Sequence, residues 1–105
     1  MNSITVDALR NHPSDYGTLI DVRSPAEFAV GHIPGAINVP MEQVEVRMAD
    51  IGNGPAVLIC EAGTRASIVA GWLAARQPVS VLAGGTAAWR KNREPKRCNP
   101  SQRAP

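Results

Sequence analysis

The feature that most narrows the fold is a series of short, largely apolar runs, each followed by a turn and a helical pattern. Thr18-Leu19-Ile20-Asp21-Val22, Ala56-Val57-Leu58-Ile59 and Val79-Ser80-Val81-Leu82 are rich in β-branched residues and bounded by turn chemistry. Runs of this length and composition read as strands buried on both faces. Ile4 reads as an edge-strand residue, and Ile37-Asn38-Val39 as a short strand closed by Pro40. Strands that alternate with helices build a mainly parallel sheet covered on both sides. There is no internal repeat.

The intervening segments carry helix punctuation. Thr5 and Asp7 mark a helix start leading into Ala8-Leu9-Arg10, and Asn11-His12-Pro13-Ser14-Asp15 stops it, with His12 an exposed loop residue. Ser24-Pro25-Ala26-Glu27 is a capping box with Pro at the first helical position, and Gly31 is a natural stop. Met41, Val44 and Met48 fall on one face of an amphipathic helix, which Gly52-Asn53-Gly54-Pro55 ends. Ile68, Val69, Trp72 and Leu73 line one face of the next helix, broken at Gln77-Pro78. Gly84-Gly85 is a loop and Thr86 to Arg90 opens a last helix; Trp72 and Trp89 read as core packing.

The chain has 105 residues, enough for one domain with its own core. Its two cysteines, Cys60 and Cys98, are too far apart and too differently placed for a disulfide framework or a zinc site. No basic and apolar leader opens the sequence, and its most apolar helix is too short for a bilayer, so a cytoplasmic location is expected. Arg90, Lys91, Arg93, Lys96, Arg97 and Arg103 stand against Glu94 at the end of the chain, whereas residues 1–89 are mildly acidic. From residue 92 the Pro-rich basic pattern reads as a tail or linker, giving a domain over 1–91 and a tail over 92–105. Cys98 is incidental to it. Such a tail also suits the flank of a membrane segment or further domain beyond it. Without interleaved aromatics it gives no case for nucleic-acid binding.

Chemistry concentrates at Cys60-Glu61-Ala62-Gly63-Thr64-Arg65. The cysteine stands at the carboxyl end of a buried strand and just ahead of a helix, where open α/β sheets bind ligands and backbone N–H groups stabilise anions. A thiolate nucleophile at Cys60 would be supported by those amides and by Arg65. Gly63 lets the loop curl, while Thr64 and Ser67 offer hydroxyls to the site or to the helix cap. Asp21 and Arg23 leave a strand on the same side of the sheet. Asp21 is placed to bond backbone near the loop, and Arg23 and Glu27 are spaced to pair with each other.

Four motifs in order resemble those of the rhodanese family. Residues 19–28 and 31–40, the latter reading Gly-His-Ile-Pro-Gly-Ala-Ile-Asn-Val-Pro, are similar to its two amino-terminal signatures. The Cys60 loop resembles its active-site loop, and Leu82-Ala83-Gly84-Gly85 with Trp89 its carboxy-terminal signature. The resemblance, running from about Ile4 to Trp89, implies an α/β domain with a five-stranded parallel sheet and helices on both faces. It implies a sulfurtransferase that carries sulfane sulfur as a persulfide on catalytic Cys60. The donor would be thiosulfate, a polysulfide or a low-molecular-weight persulfide, and the acceptor a thiol, a protein or cyanide. Glu61, Ala62, Gly63, Thr64 and Arg65 would bind substrate, with Asp21, Arg23 and Ser67 supporting the loop and neither metal nor cofactor required. His32 would be structural. Glu61 departs from the basic or neutral residue of thiosulfate-preferring members, which predicts poor thiosulfate use improved by Glu61→Gln. A related cysteine phosphatase needs C-x5-R, and the spacing here is C-x4-R. A non-turnover binding module or a sulfide or redox sensor is the other alternative.

Overall fold

The computed structural model describes residues 2–92. Asn92, expected to begin the tail, still belongs to the last helix and accepts from Arg10 at 2.7 Å; residues 93–105, with Cys98, lie outside the described residues. Five strands, β1 (Asn2–Ile4), β2 (Thr18–Asp21), β3 (Ile37–Asn38), β4 (Ala56–Ile59) and β5 (Val79–Leu82), form one sheet in the order β1-β5-β4-β2-β3. Every pairing is parallel. β4 is buried at all four residues, as a central strand covered on both faces must be.

Helices α1 (Val6–Asn11), α2 (Pro25–Val30) and α5 (Gly85–Asn92) cover one face, where Leu9, Phe28 and Trp89 pack with Leu19, Val57 and Ile59. Helices α3 (Met48–Ile51) and α4 (Thr64–Leu73) cover the other, where Ile51, Val69 and Leu73 meet Ile20, Leu58 and Val81. The caps follow the sequence. Thr5 Oγ1 accepts from the Ala8 amide at 3.0 Å, and both bonds of the Ser24–Glu27 capping box are formed. Gly31 ends α2, but in extended backbone at φ 167°, so no left-handed turn is made there.

Two expectations are corrected. Met41, Val44 and Met48 do face the core, but two 3-10 turns, Met41–Gln43 and Glu45–Arg47, and the short α3 replace a continuous helix. The backbone bonds run three residues back, Val44 to the Met41 carbonyl and Arg47 to the Val44 carbonyl, while the Met41 amide holds the Val22 carbonyl at 3.0 Å and the Arg47 side chain the Asn38 carbonyl at 2.9 Å. On α4 the buried stripe is Ala66, Val69, Ala70 and Leu73, with Ile68 and Trp72 outside it. The alanines let α4 lie close to the sheet, which leaves Trp72, 55% exposed, at an open groove of about 410 Å³ beside Met41 and Met48. Trp89 is packed as expected, with the Arg10 guanidinium 3.7 Å above its ring.

Candidate active site

β2 and β4 are neighbours in register, Asp21 opposite Ile59. Residues leaving the two strands therefore emerge side by side, and Asp21, Arg23 and Cys60 gather at the carboxyl edge of the sheet. This is the expected place for a site in a parallel α/β sheet.

The Cys60 loop closes over its own sulfur. Gly63, at φ 112°, turns the backbone so that its N–H donates to Cys60 Sγ at 2.9 Å, and the Ala66 amide donates at 3.4 Å. A Cβ at Gly63 would meet open space, so glycine is needed there for the backbone angle and not for room. The amides of the loop and of the first turn of α4 thus converge on the thiol, which is 1% exposed. Such converging donors stabilise a negative charge on sulfur without a metal. Among the described residues no three His, Cys, Asp or Glu side chains cluster as a metal site.

The loop is fastened from below by α5. The Thr86 amide donates to the Cys60 carbonyl at 2.9 Å and the Ala87 amide to the Glu61 carbonyl at 3.0 Å. Gly85 sits so close that a Cβ would come within 2.3 Å of the Cys60 carbonyl oxygen.

Ionic partners differ from the local pairing expected. Arg23 is bound to the buried Asp21, its Nη2 at 2.9 Å from Oδ2, and reaches Glu61 Oε1 at 3.2 Å. Its Nη2 also donates to the Gly31 carbonyl at 2.7 Å. Burial opposes the charge on Arg23, but bonding and attraction by Asp21, then Glu61 and Glu27, outweigh it and raise its pKa. Glu27 does not bond Arg23. It takes Arg65 in a two-pronged pair at 2.8 and 3.0 Å, and Arg65, with Ser24, lowers its carboxyl pKa to about 2. Glu61 also pairs with Arg90 on α5. Asp21 bonds the backbone of its own segment, accepting from the Arg23 amide at 3.0 Å.

The remaining candidates take supporting places. Ser67 donates its hydroxyl to the Gly63 carbonyl at 2.8 Å, tying the loop to α4. Ala62 on the loop and Thr64 at the start of α4 are exposed. His32 bonds the Phe28 carbonyl at 2.9 Å and stacks on the Phe28 ring, so it serves the turn after α2. Sequence reasoning missed the Ala66 amide, because backbone donors leave no mark on residue type. It also missed Glu27 as the partner of Arg65, and Arg90 as a partner of Glu61.

A family model described as the rhodanese-like domain matches residues 5–92. A sulfurtransferase of Allochromatium vinosum is 36% identical over 77 residues, covering 70% of this chain and 72% of that protein. An HTH-type transcriptional regulator of Mycobacterium tuberculosis, Rv0324, is 40% identical over 55 residues. That match covers 51% of this chain, which spans only 24% of the regulator. The crystal structure of a rhodanese-related protein from Thermoplasma volcanium superposes with a TM-score of 0.80 at 23% identity, covering 88% of this chain and 93% of that one. At that identity the likeness is one of fold. Among the described residues no helix is long and apolar enough to cross a membrane.

Proposed function

The chain belongs to the rhodanese-like domain family, and on that premise we propose that it is a sulfurtransferase carrying sulfane sulfur as a persulfide on Cys60. The observation that carries the reading is the convergence of the Gly63 and Ala66 amides on Cys60 Sγ at a strand end. The relative named a sulfurtransferase supports it.

In the first half-reaction the Cys60 thiolate attacks the outer sulfur of a donor. A new S–S bond forms, the donor's own S–S bond breaks, and its electron pair leaves with sulfite or a thiolate. In the second, an acceptor thiolate attacks the terminal sulfur, and the pair of the broken bond returns to Cys60. Each step replaces one anion by another, so the loop's task is to hold negative charge throughout. Donors are thiosulfate, polysulfide or a low-molecular-weight persulfide; acceptors are a thiol, a protein thiol or cyanide.

The test is incubation of the reduced protein with polysulfide or thiosulfate, then intact-mass measurement beside Cys60→Ser and Cys98→Ser. One added sulfur that is lost only in Cys60→Ser is expected. No addition with either donor overturns the proposal. A second reading, a sulfur sensor that loads without turnover, draws on the likeness to a transcriptional regulator. A loaded Cys60 that a thiol acceptor fails to discharge would favour it. The phosphatase reading has no support from the C-x4-R spacing.

A further inference from the structure

Three guanidinium groups, on Arg23, Arg65 and Arg90, surround the Cys60 loop, and each is bound to a carboxylate of this chain. Arg23 has Asp21 and Glu61, Arg90 has Glu61, and Arg65 has Glu27. The three carboxylates balance the three guanidinium charges. The Arg65 pair is the one that matters for a donor. Arg65 lies in the first turn of α4, next to Ala66, whose amide reaches the Cys60 sulfur at 3.4 Å. Its pair with Glu27 is about a third exposed on both sides, so it lies at the surface and not in the core. Glu27 presents two oxygens to the fork in the way an anionic donor would present them.

We infer that Glu27 is a specificity-determining residue: by occupying Arg65 it sets the site for singly charged, thiol-borne persulfide donors and against the thiosulfate dianion. The inference rests on the sulfur-carrier reading given above. Attack on thiosulfate gathers three negative charges at the loop, one on the thiolate and two on the donor. Attack on a persulfide anion gathers two. Amides converging on sulfur serve both, but the additional charge of thiosulfate calls for a free cation. With Arg65 held by Glu27, none of these three guanidinium groups is free to supply it. A thiosulfate ion must displace a carboxylate already seated in good geometry; a persulfide need not.

The consequence is measurable with Glu27→Gln, which keeps an oxygen for the Ser24 amide and so keeps the helix cap. Initial rates of sulfur loading on Cys60 are measured by intact mass with thiosulfate and with the persulfide of 2-mercaptoethanol, whose only charge is on sulfur, for wild type and variant. The thiosulfate-to-persulfide ratio should rise about tenfold or more in Glu27→Gln, the scale of one charge-assisted hydrogen-bonded contact. Thiosulfate loading by the variant should also fall more steeply with added salt, as a contact with a freed cation requires. Arg65→Gln placed on top of Glu27→Gln should abolish the gain. An unchanged or lower ratio overturns the inference, as does a gain that survives loss of Arg65. Should Glu27→Gln not fold, Glu27→Asp, which keeps a carboxylate in the first turn but draws it one methylene back from Arg65, is read by the same ratio. If neither donor loads wild-type Cys60, it is the sulfur-carrier reading that fails.

Discussion

Gly85→Ala gives the sharpest test of how α5 fixes the Cys60 loop. The residue sits at φ 62°, and an added Cβ would lie 2.3 Å from the Cys60 carbonyl oxygen and 2.6 Å from that of Glu61. Left-handed backbone costs a non-glycine residue about 1–2 kcal/mol. The obstructing atoms belong to the backbone, so relief requires the loop to move away from α5. That motion lengthens the Thr86–Cys60 and Ala87–Glu61 hydrogen bonds, each contributing about 1 kcal/mol. The combined loss is about 3–4 kcal/mol, survivable for a domain whose total stability is about 5–15 kcal/mol. Urea unfolding should show the loss directly, and Tm should drop by roughly 10–25 °C. The control is Gly71→Ala in the interior of α4, where an added Cβ has nothing within 4 Å and should stabilise by about 0.5–1 kcal/mol. The folded Gly85 variant should also alkylate faster at Cys60 with iodoacetamide, because the loop covering the sulfur is loosened. A Gly85→Ala protein within 1 kcal/mol of wild type, with unchanged alkylation, would refute the reasoning.

Other outcomes follow from the ionic network. Asp21→Ala leaves the 3% exposed Arg23 without its buried partner; the expected cost is about 3 kcal/mol in urea unfolding, and a neutral result would deny the pair a structural role. The Glu27 carboxyl is held below its ordinary 4.5, at about 2. Its contribution to stability is therefore fully present above pH 4.5 and fades as pH falls through about 2. The stability gap between wild type and Glu27→Gln should close over that window, and a constant gap would deny the linkage. Glu61→Gln should raise thiosulfate loading less than Glu27→Gln does, because Arg23 remains held by Asp21 and the Arg90 it releases is more than half exposed on α5, where water screens its pull on a donor. An equal or larger gain would place the controlling charge at Glu61.

Short stretches of chain encode the local part of this architecture. Buried strands announce themselves through β-branched runs, and the Ser24–Glu27 box and the Thr5 cap depend on residues three apart. The Cys60 loop was legible because strand end, glycine and arginine lie within six residues. The α4 face was only half legible: Ala66 and Ala70 carry little apolar signal beside Ile68 and Trp72, yet their small size is what lets the helix approach the sheet. Tertiary structure alone decided the charge partners. Local spacing matched Arg23 with Glu27, but the parallel pairing of β2 and β4 brings together residues 38 apart. Arg23 thereby reaches Glu61, and Glu27 is left for Arg65. Ion pairing depends on distance through space, and at this sheet edge register sets that distance.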